Sequence, residues 1–103
     1  MGAHEFFSAS SQAGNLHLNM KIERLDQSIA AELRDEFVNE VSGHKGNVTV
    51  DMSSVSFIDS SGLGSLVRLK KTMAQDARVK LQNPNDFVVK ILRLTDLDKV
   101  FDL

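Results

Sequence analysis

Cysteine is absent from the 103 residues, which excludes disulfide stapling and thiolate zinc sites and leaves the redox compartment open. Tryptophan and tyrosine are absent as well, so the chain lacks two of the side chains on which nucleic-acid bases stack. Neither sign of charge prevails: twelve Lys and Arg stand against fourteen Asp and Glu, a net charge of -2. No strong positive field would therefore hold a polyanion, and no nucleic-acid partner is expected. No apolar run approaches the length that spans a bilayer, and the amino terminus has no signal-peptide core. A cytoplasmic protein without a membrane partner is the expectation. Repeats and low-complexity segments are missing too.

What is present fits one soluble domain. At 42% hydrophobic and 25% charged residues, the chain can bury a single core but not a second. Residues 1–4, "MGAH", join abruptly to the apolar "EFF" and read as the remnant of an expression tag, leaving residues 5–103 as the domain. "EFFSASS" suggests a short first strand, and "QAGN" supplies Gly14 and Asn15 for a hairpin turn. "LHLNMKIE", Leu16 to Glu23, alternates apolar with polar and predicts a half-buried strand. Asp26 and Ser28 are capping types ahead of Ile29, Leu33, Phe37 and Val41, which predicts a helix over about Ser28 to Ser42, closed by Gly43. "GNVTVDM" alternates again as a central strand. Leu63, Leu66, Val67 and Met73 mark a second helix reaching to about Ala77, with Arg68, Lys70 and Lys71 outside. "RVKLQ" reads as a strand. "NPND" carries Pro84 and Asp86 into a third helix marked by Phe87, Val88, Ile91 and Leu92, and "DKVFDL" leaves room for a last short strand. Strands alternating with helices after a hairpin imply an α/β fold: a mixed central sheet of about five strands with helices packed on it.

One junction stands out. "FIDSSGLG", Phe57 to Gly64, places an acid, two hydroxyls and two glycines between a strand and a helix, where functional loops of such folds collect. A helix amino terminus presents unpaired N–H groups and a partial positive charge, so a phosphate esterified to serine would be tolerated there. Asp59, Ser60 and Ser61 are all capping types, and Gly62 and Gly64 allow a sharp turn and the close approach of another surface. Ordinary capping and glycine packing against the sheet would also account for such residues. Three capping candidates in a row, where one is enough, favour a functional loop. Competing chemistries lack their parts. A nucleophile elbow needs a glycine two residues before the serine, and a P-loop needs a lysine that "SGLGSL" lacks. His4, His17 and His44 are scattered, so neither a catalytic base nor a metal site is supported; no cofactor is implied and no catalytic residue is assigned. The basic trio on the second helix reads as a solvated face.

The run "VTVDMSSVSFIDSSGLGSLVRLKK" closely resembles the signature of STAS domains, in particular the single-domain anti-sigma factor antagonists of bacteria. "IERLDQSIAAEL" is similar to the family's strand, loop and helix, with Leu25 and Asp26 at its leucine-aspartate position, and "NPNDFVVKILRLTDLDKVF" is similar to its third helix and last strand. The resemblance implies partner switching without enzymatic activity. The unmodified domain docks on a partner, often an anti-sigma factor that is also a serine kinase. Phosphorylation releases it and a PP2C-type phosphatase resets it, with sigma-factor activity or biofilm and exopolysaccharide control as outputs. Carried over, the acceptor is Ser60, and Asp59, Ser61, Gly62, Leu63, Gly64, Leu25 and Asp26 form the loop and partner surface, with Ser61 as the structural cap. Glu23 and Arg24 depart from the family, which commonly has a glycine before the leucine-aspartate pair. The family's carboxyl-terminal helix has no counterpart before Leu103, and its loss would expose apolar surface and favour weak self-association. Two alternatives remain at this stage: a non-switching STAS subunit of a stressosome-like or lipid-transport assembly, and a small nucleotide-binding protein.

Overall fold

The chain opens with a hairpin whose turn is left-handed at both central residues. The computed structural model describes residues 5–103, and the expected tag remnant at 1–4 lies outside them. Strands β1 (Phe7–Gln12) and β2 (Asn15–Met20) pair antiparallel from Phe7↔Met20 to Gln12↔Asn15. Ala13 (φ 54°) and Gly14 (φ 81°) form the turn, the mirror-image type whose twist matches that of paired strands. Asn15, expected in the turn, is the first residue of β2. The alternation of "LHLNMKIE" ends as a strand at Met20, short of Glu23, because the parallel neighbour on its other side ends its pairing at Asn19↔Asp51.

The remaining elements in chain order are β3 (Arg24–Leu25), α1 (Ala30–Val41), β4 (Val48–Asp51), β5 (Phe57–Ile58), α2 (Ser60–Thr72), β6 (Val79–Gln82) and α3 (Asp86–Leu94). The main sheet is four-stranded, ordered β1-β2-β4-β6. Its first pair is antiparallel and the others parallel, which is the mixed sheet that the element order implies. The registers Leu16↔Val48↔Val79 and Leu18↔Val50↔Leu81 put buried aliphatic rows on one face. They share a core with Leu33, Phe37 and Val41 of α1 and with Leu63, Leu66 and Leu69 of α2, and Phe7 stacks on Phe37 with centroids 5.2 Å apart. The other face carries the register row His17, Thr49 and Lys80.

Several boundaries differ from the sequence reading. Helix α1 begins at Ala30 after Ile29, without a side-chain cap, because Asp26 and Ser28 bond each other. Helix α2 stops at Thr72 rather than near Ala77. Lys70 Nζ donates to the Ala77 carbonyl at 3.0 Å, so one member of the basic trio caps the following turn while Arg68 and Lys71 stay exposed. Leu69 is buried where Val67 was expected, and Val67 is half-buried. The cap of α3 is Asn85, whose Oδ1 accepts from Val88 N at 2.8 Å, with Pro84 before it. "DKVFDL" forms turns and no strand. Asp96, ahead of the segment, and Asp102, within it, have left-handed φ values of 59° and 58°, which breaks extension, although Phe101 is fully buried and its carbonyl accepts from Leu81 N. The sheet therefore has four strands instead of about five, and the remaining two-residue strands, β3 and β5, form a ladder of their own.

Candidate functional site

That small ladder assembles the junction. β3 and β5 run parallel with Arg24 opposite Phe57 and Leu25 opposite Ile58. Alternation turns Leu25 and Ile58 into the core and leaves Arg24 and Phe57 together on the outer side. One position further, Asp59 N donates to the Leu25 carbonyl at 3.1 Å, and both chains leave the ladder side by side.

Asp59 carries the geometry of the loop. It is the N-cap of α2, in extended conformation. Its Oδ1 accepts from Gly62 N at 2.9 Å and its Oδ2 from Gln27 N at 3.0 Å. One carboxylate thus satisfies a first-turn donor of the helix and fastens the loop after β3 to the loop after β5. Ser61 is not the cap: it lies half-buried inside the first turn. Ser60 is the first residue of α2 and is exposed, and its hydroxyl has no hydrogen-bond partner among the described residues. Of the three capping candidates in the row, Asp59 caps, and the two serine hydroxyls have no hydrogen-bond partner among the described residues, with Ser60 the exposed one.

The two glycines have opposite roles. Neither makes the sharp turn expected of it, for both lie within α2. Gly62 is buried against β3: a Cβ built there would clash with the Leu25 carbonyl oxygen and stand 2.8 Å from its carbonyl carbon. Its lack of a side chain is required by the fold, so the surface that approaches it is the protein's own. Gly64 is exposed with open space around its missing Cβ, and is the glycine that another molecule could approach. Leu63 and Leu25 are core residues at 6% and 0% exposure, so they shape the loop from beneath. Ser65, which the motif reading passed over, is fully buried, and its hydroxyl donates to the Gly62 carbonyl at 2.6 Å. Its place on the inner face of α2, between Leu63 and Leu66, was the available signal.

Asp26 lies beside Asp59 on the outer side, and both line one shallow cleft with Arg24, Gln27, Ser28 and Phe57. The Ser28 hydroxyl and N–H donate to Asp26 Oδ1 at 2.6 and 3.0 Å, and Arg24 Nε donates to Oδ2 at 3.2 Å. The Ser28 hydroxyl foremost, then its N–H, hold the Asp26 carboxyl below its ordinary range, with Arg24 a lesser contributor. The Arg24 guanidinium sits 4.2 Å from the centroid of Phe57, and Phe57 stacks on Phe87 of α3 at 5.6 Å. Phe87, one of the residues that mark the third helix, is 39% exposed. No sequence period reveals this stack, since it depends on a long-range pairing of two-residue strands.

Among the described residues no group of three His, Cys, Asp or Glu could hold a metal ion. His17 lies in a separate cleft on the sheet, and His44 stands in the loop after α1 with Nε2 3.2 Å from the Asn47 carbonyl. No helix among the described residues is long and apolar enough to cross a membrane.

A family model described as "Mlab, STAS domain" matches residues 6–103. The structure is similar to that of a putative anti-sigma factor antagonist from Thermotoga maritima, with a TM-score of 0.76 at 26% identity over 93% of this chain and 83% of that one. It is similar to an anti-sigma-factor antagonist (STAS) domain protein from Planctomyces limnophilus, with a TM-score of 0.84 at 22% identity over 96% and 88% of the two chains. The Bacillus cell fate determinant SpoIIAA in its phosphorylated form matches with a TM-score of 0.69 at 20% identity over 91% and 86%.

Proposed function

The chain belongs to the STAS domain family, and from that premise we propose that it is a non-enzymatic partner-switching protein, of the anti-sigma factor antagonist type, whose acceptor of phosphate is Ser60. The observation that carries the reading is the contrast within one loop: Asp59 spends both carboxylate oxygens on structure while the adjacent Ser60 hydroxyl is exposed and has no hydrogen-bond partner among the described residues. A serine needed only as a cap would occupy the position that Asp59 holds.

Phosphorylation would add about -1.5 to -2 charge at pH 7 and three acceptor oxygens to Ser60. The helix amino terminus tolerates that charge, so the fold stays intact while the surface changes. Asp26 and Asp59 already share the neighbouring cleft, and the phosphate concentrates negative charge there. A partner docked over the exposed side of α2, where Gly64 leaves room, then meets bulk and repulsion. The partner is an anti-sigma factor or serine kinase-like protein, and a PP2C-type phosphatase restores the docking form. That SpoIIAA is described in both unphosphorylated and phosphorylated forms supports a modification of this kind.

The test compares Ser60→Ala with Ser60→Asp against the partner that co-purifies with the unmodified protein. Ser60→Ala should bind as the unmodified protein does. Ser60→Asp should bind at least about tenfold more weakly, about 1.4 kcal/mol. Equal binding by both variants would remove the switch from Ser60 and favour a non-switching subunit.

A further inference from the structure

Among the described residues Arg24 is the one cation lining the cleft that reaches Asp59, the chain neighbour of Ser60, and the other ionisable groups there are Asp26 and Asp59. Its guanidinium is pre-positioned rather than free-swinging: its central carbon lies over the ring of Phe57, itself backed by Phe87, and Nε donates to Asp26. Only Nε is used. The two terminal nitrogens, the edge with which arginine grips carboxylates and phosphates, have no hydrogen-bond partner among the described residues. The link to Asp26 is also dispensable to that carboxylate, which Ser28 already binds twice through Oδ1. With the Arg24 side chain 61% exposed, such a pair contributes little to stability, so the bond from Nε to Asp26 can be given up at small cost.

Resting on the reading of Ser60 as the acceptor, we propose that Arg24 is the internal receiver of the phosphate, drawing phosphoserine 60 into the cleft between β3 and β5 and holding it across the partner-facing loop. The placement allows it. Arg24 is opposite Phe57 in the ladder, and Ser60 follows Phe57 by about 10 Å of extended chain, across a strand spacing of about 4.8 Å. Closing that gap falls to the arginine stem and the phosphoserine arm together. In the unmodified protein the guanidinium partly offsets Asp26. In the modified protein it leaves Asp26 for the stronger dianion, so the carboxylate on the partner surface loses its screen at the moment the phosphate arrives. Arg24 is a positioning residue in this device, and it makes the modified loop a fixed surface instead of a mobile charged tip.

Phosphoserine installed at position 60 of the full chain by genetic incorporation tests this without a kinase or a partner. The second ionisation of the phosphate is followed by 31P NMR in the native sequence, in Arg24→Gln and in Arg24→Lys, with the Arg24 Nε–H resonance recorded alongside. The guanidinium should lower the phosphate pKa relative to Arg24→Gln by at least about half a unit, roughly threefold in proton affinity, with Arg24→Lys in between. The Nε–H signal should move on modification. Titrations that coincide in the native sequence and Arg24→Gln, with an unmoved Nε–H signal, would overturn the proposal. Failure to find phosphate on Ser60 in the host would instead sink the functional reading and leave this result as it stands.

Discussion

At the scale of single residues, the two glycines of "GLG" separate what the fold needs from what a partner could use. Gly62 packs its Cα against the Leu25 backbone, which cannot retreat without breaking the bond from Asp59 N to the Leu25 carbonyl. Gly62→Ala should therefore lower stability by on the order of 1–3 kcal/mol, as overpacking of a tight site does. Gly64→Ala fills open space on an exposed helical position and should raise stability by about 0.5–1 kcal/mol. Urea unfolding of both variants checks the pair, and a stable Gly62→Ala would contradict the close approach of α2 to β3. The motif showed that two glycines were present. It did not show which faced inward, because helical phase relative to β3 depends on where α2 begins, and three adjacent residues could each have been the cap.

At the scale of elements, two turns that follow strands make the domain sensitive to acid. Asp51 Oδ1 accepts from Ser53 N at 2.9 Å after β4, and that N–H foremost holds its carboxyl below the ordinary range. Asp26 is lowered likewise by Ser28 after β3. A carboxyl with a lower pKa in the folded state than in the unfolded chain stabilises above its unfolded value and loses that contribution as pH falls through its folded value. Urea midpoints should thus decline as pH drops below about 4, and less steeply in Asp51→Asn. A midpoint indifferent to pH down to 3 or rising over that window would contradict the two turns. The longer elements were legible in the sequence: Leu33, Phe37 and Val41 for α1, and the alternation of Val48, Val50 and Met52 for β4, are buried as their spacing implies. The ladder of β3 and β5 was not, since two residues carry no period and the pairing is set by tertiary contact. "DKVFDL" misled because an apolar pair amid charges fits a buried turn as well as a strand.

At the scale of the molecule, one core built from the sheet, α1 and α2 fixes the Ser60 loop through buried neighbours on both sides, Leu25 and Ile58 beneath and Leu63 and Leu66 behind. Phosphorylation as proposed would change the surface charge of such a site without changing its packing, so the proposed switch requires no second conformation of the fold. Exposed apolar side chains are Leu94, Val100 and Leu103, with Phe87 stacked on the Phe57 that lines the cleft of Asp26 and Asp59. The proposed function rests on phosphorylation of this loop at one serine. Its most direct test is intact-mass and fragment-ion analysis of the protein recovered from its own host, before and after phosphatase treatment. A single phosphate that the phosphatase removes, located by fragment ions on Ser60, is the predicted result. A phosphate located on Ser61 or elsewhere, or none under any growth condition while the protein remains bound in a complex, would contradict it.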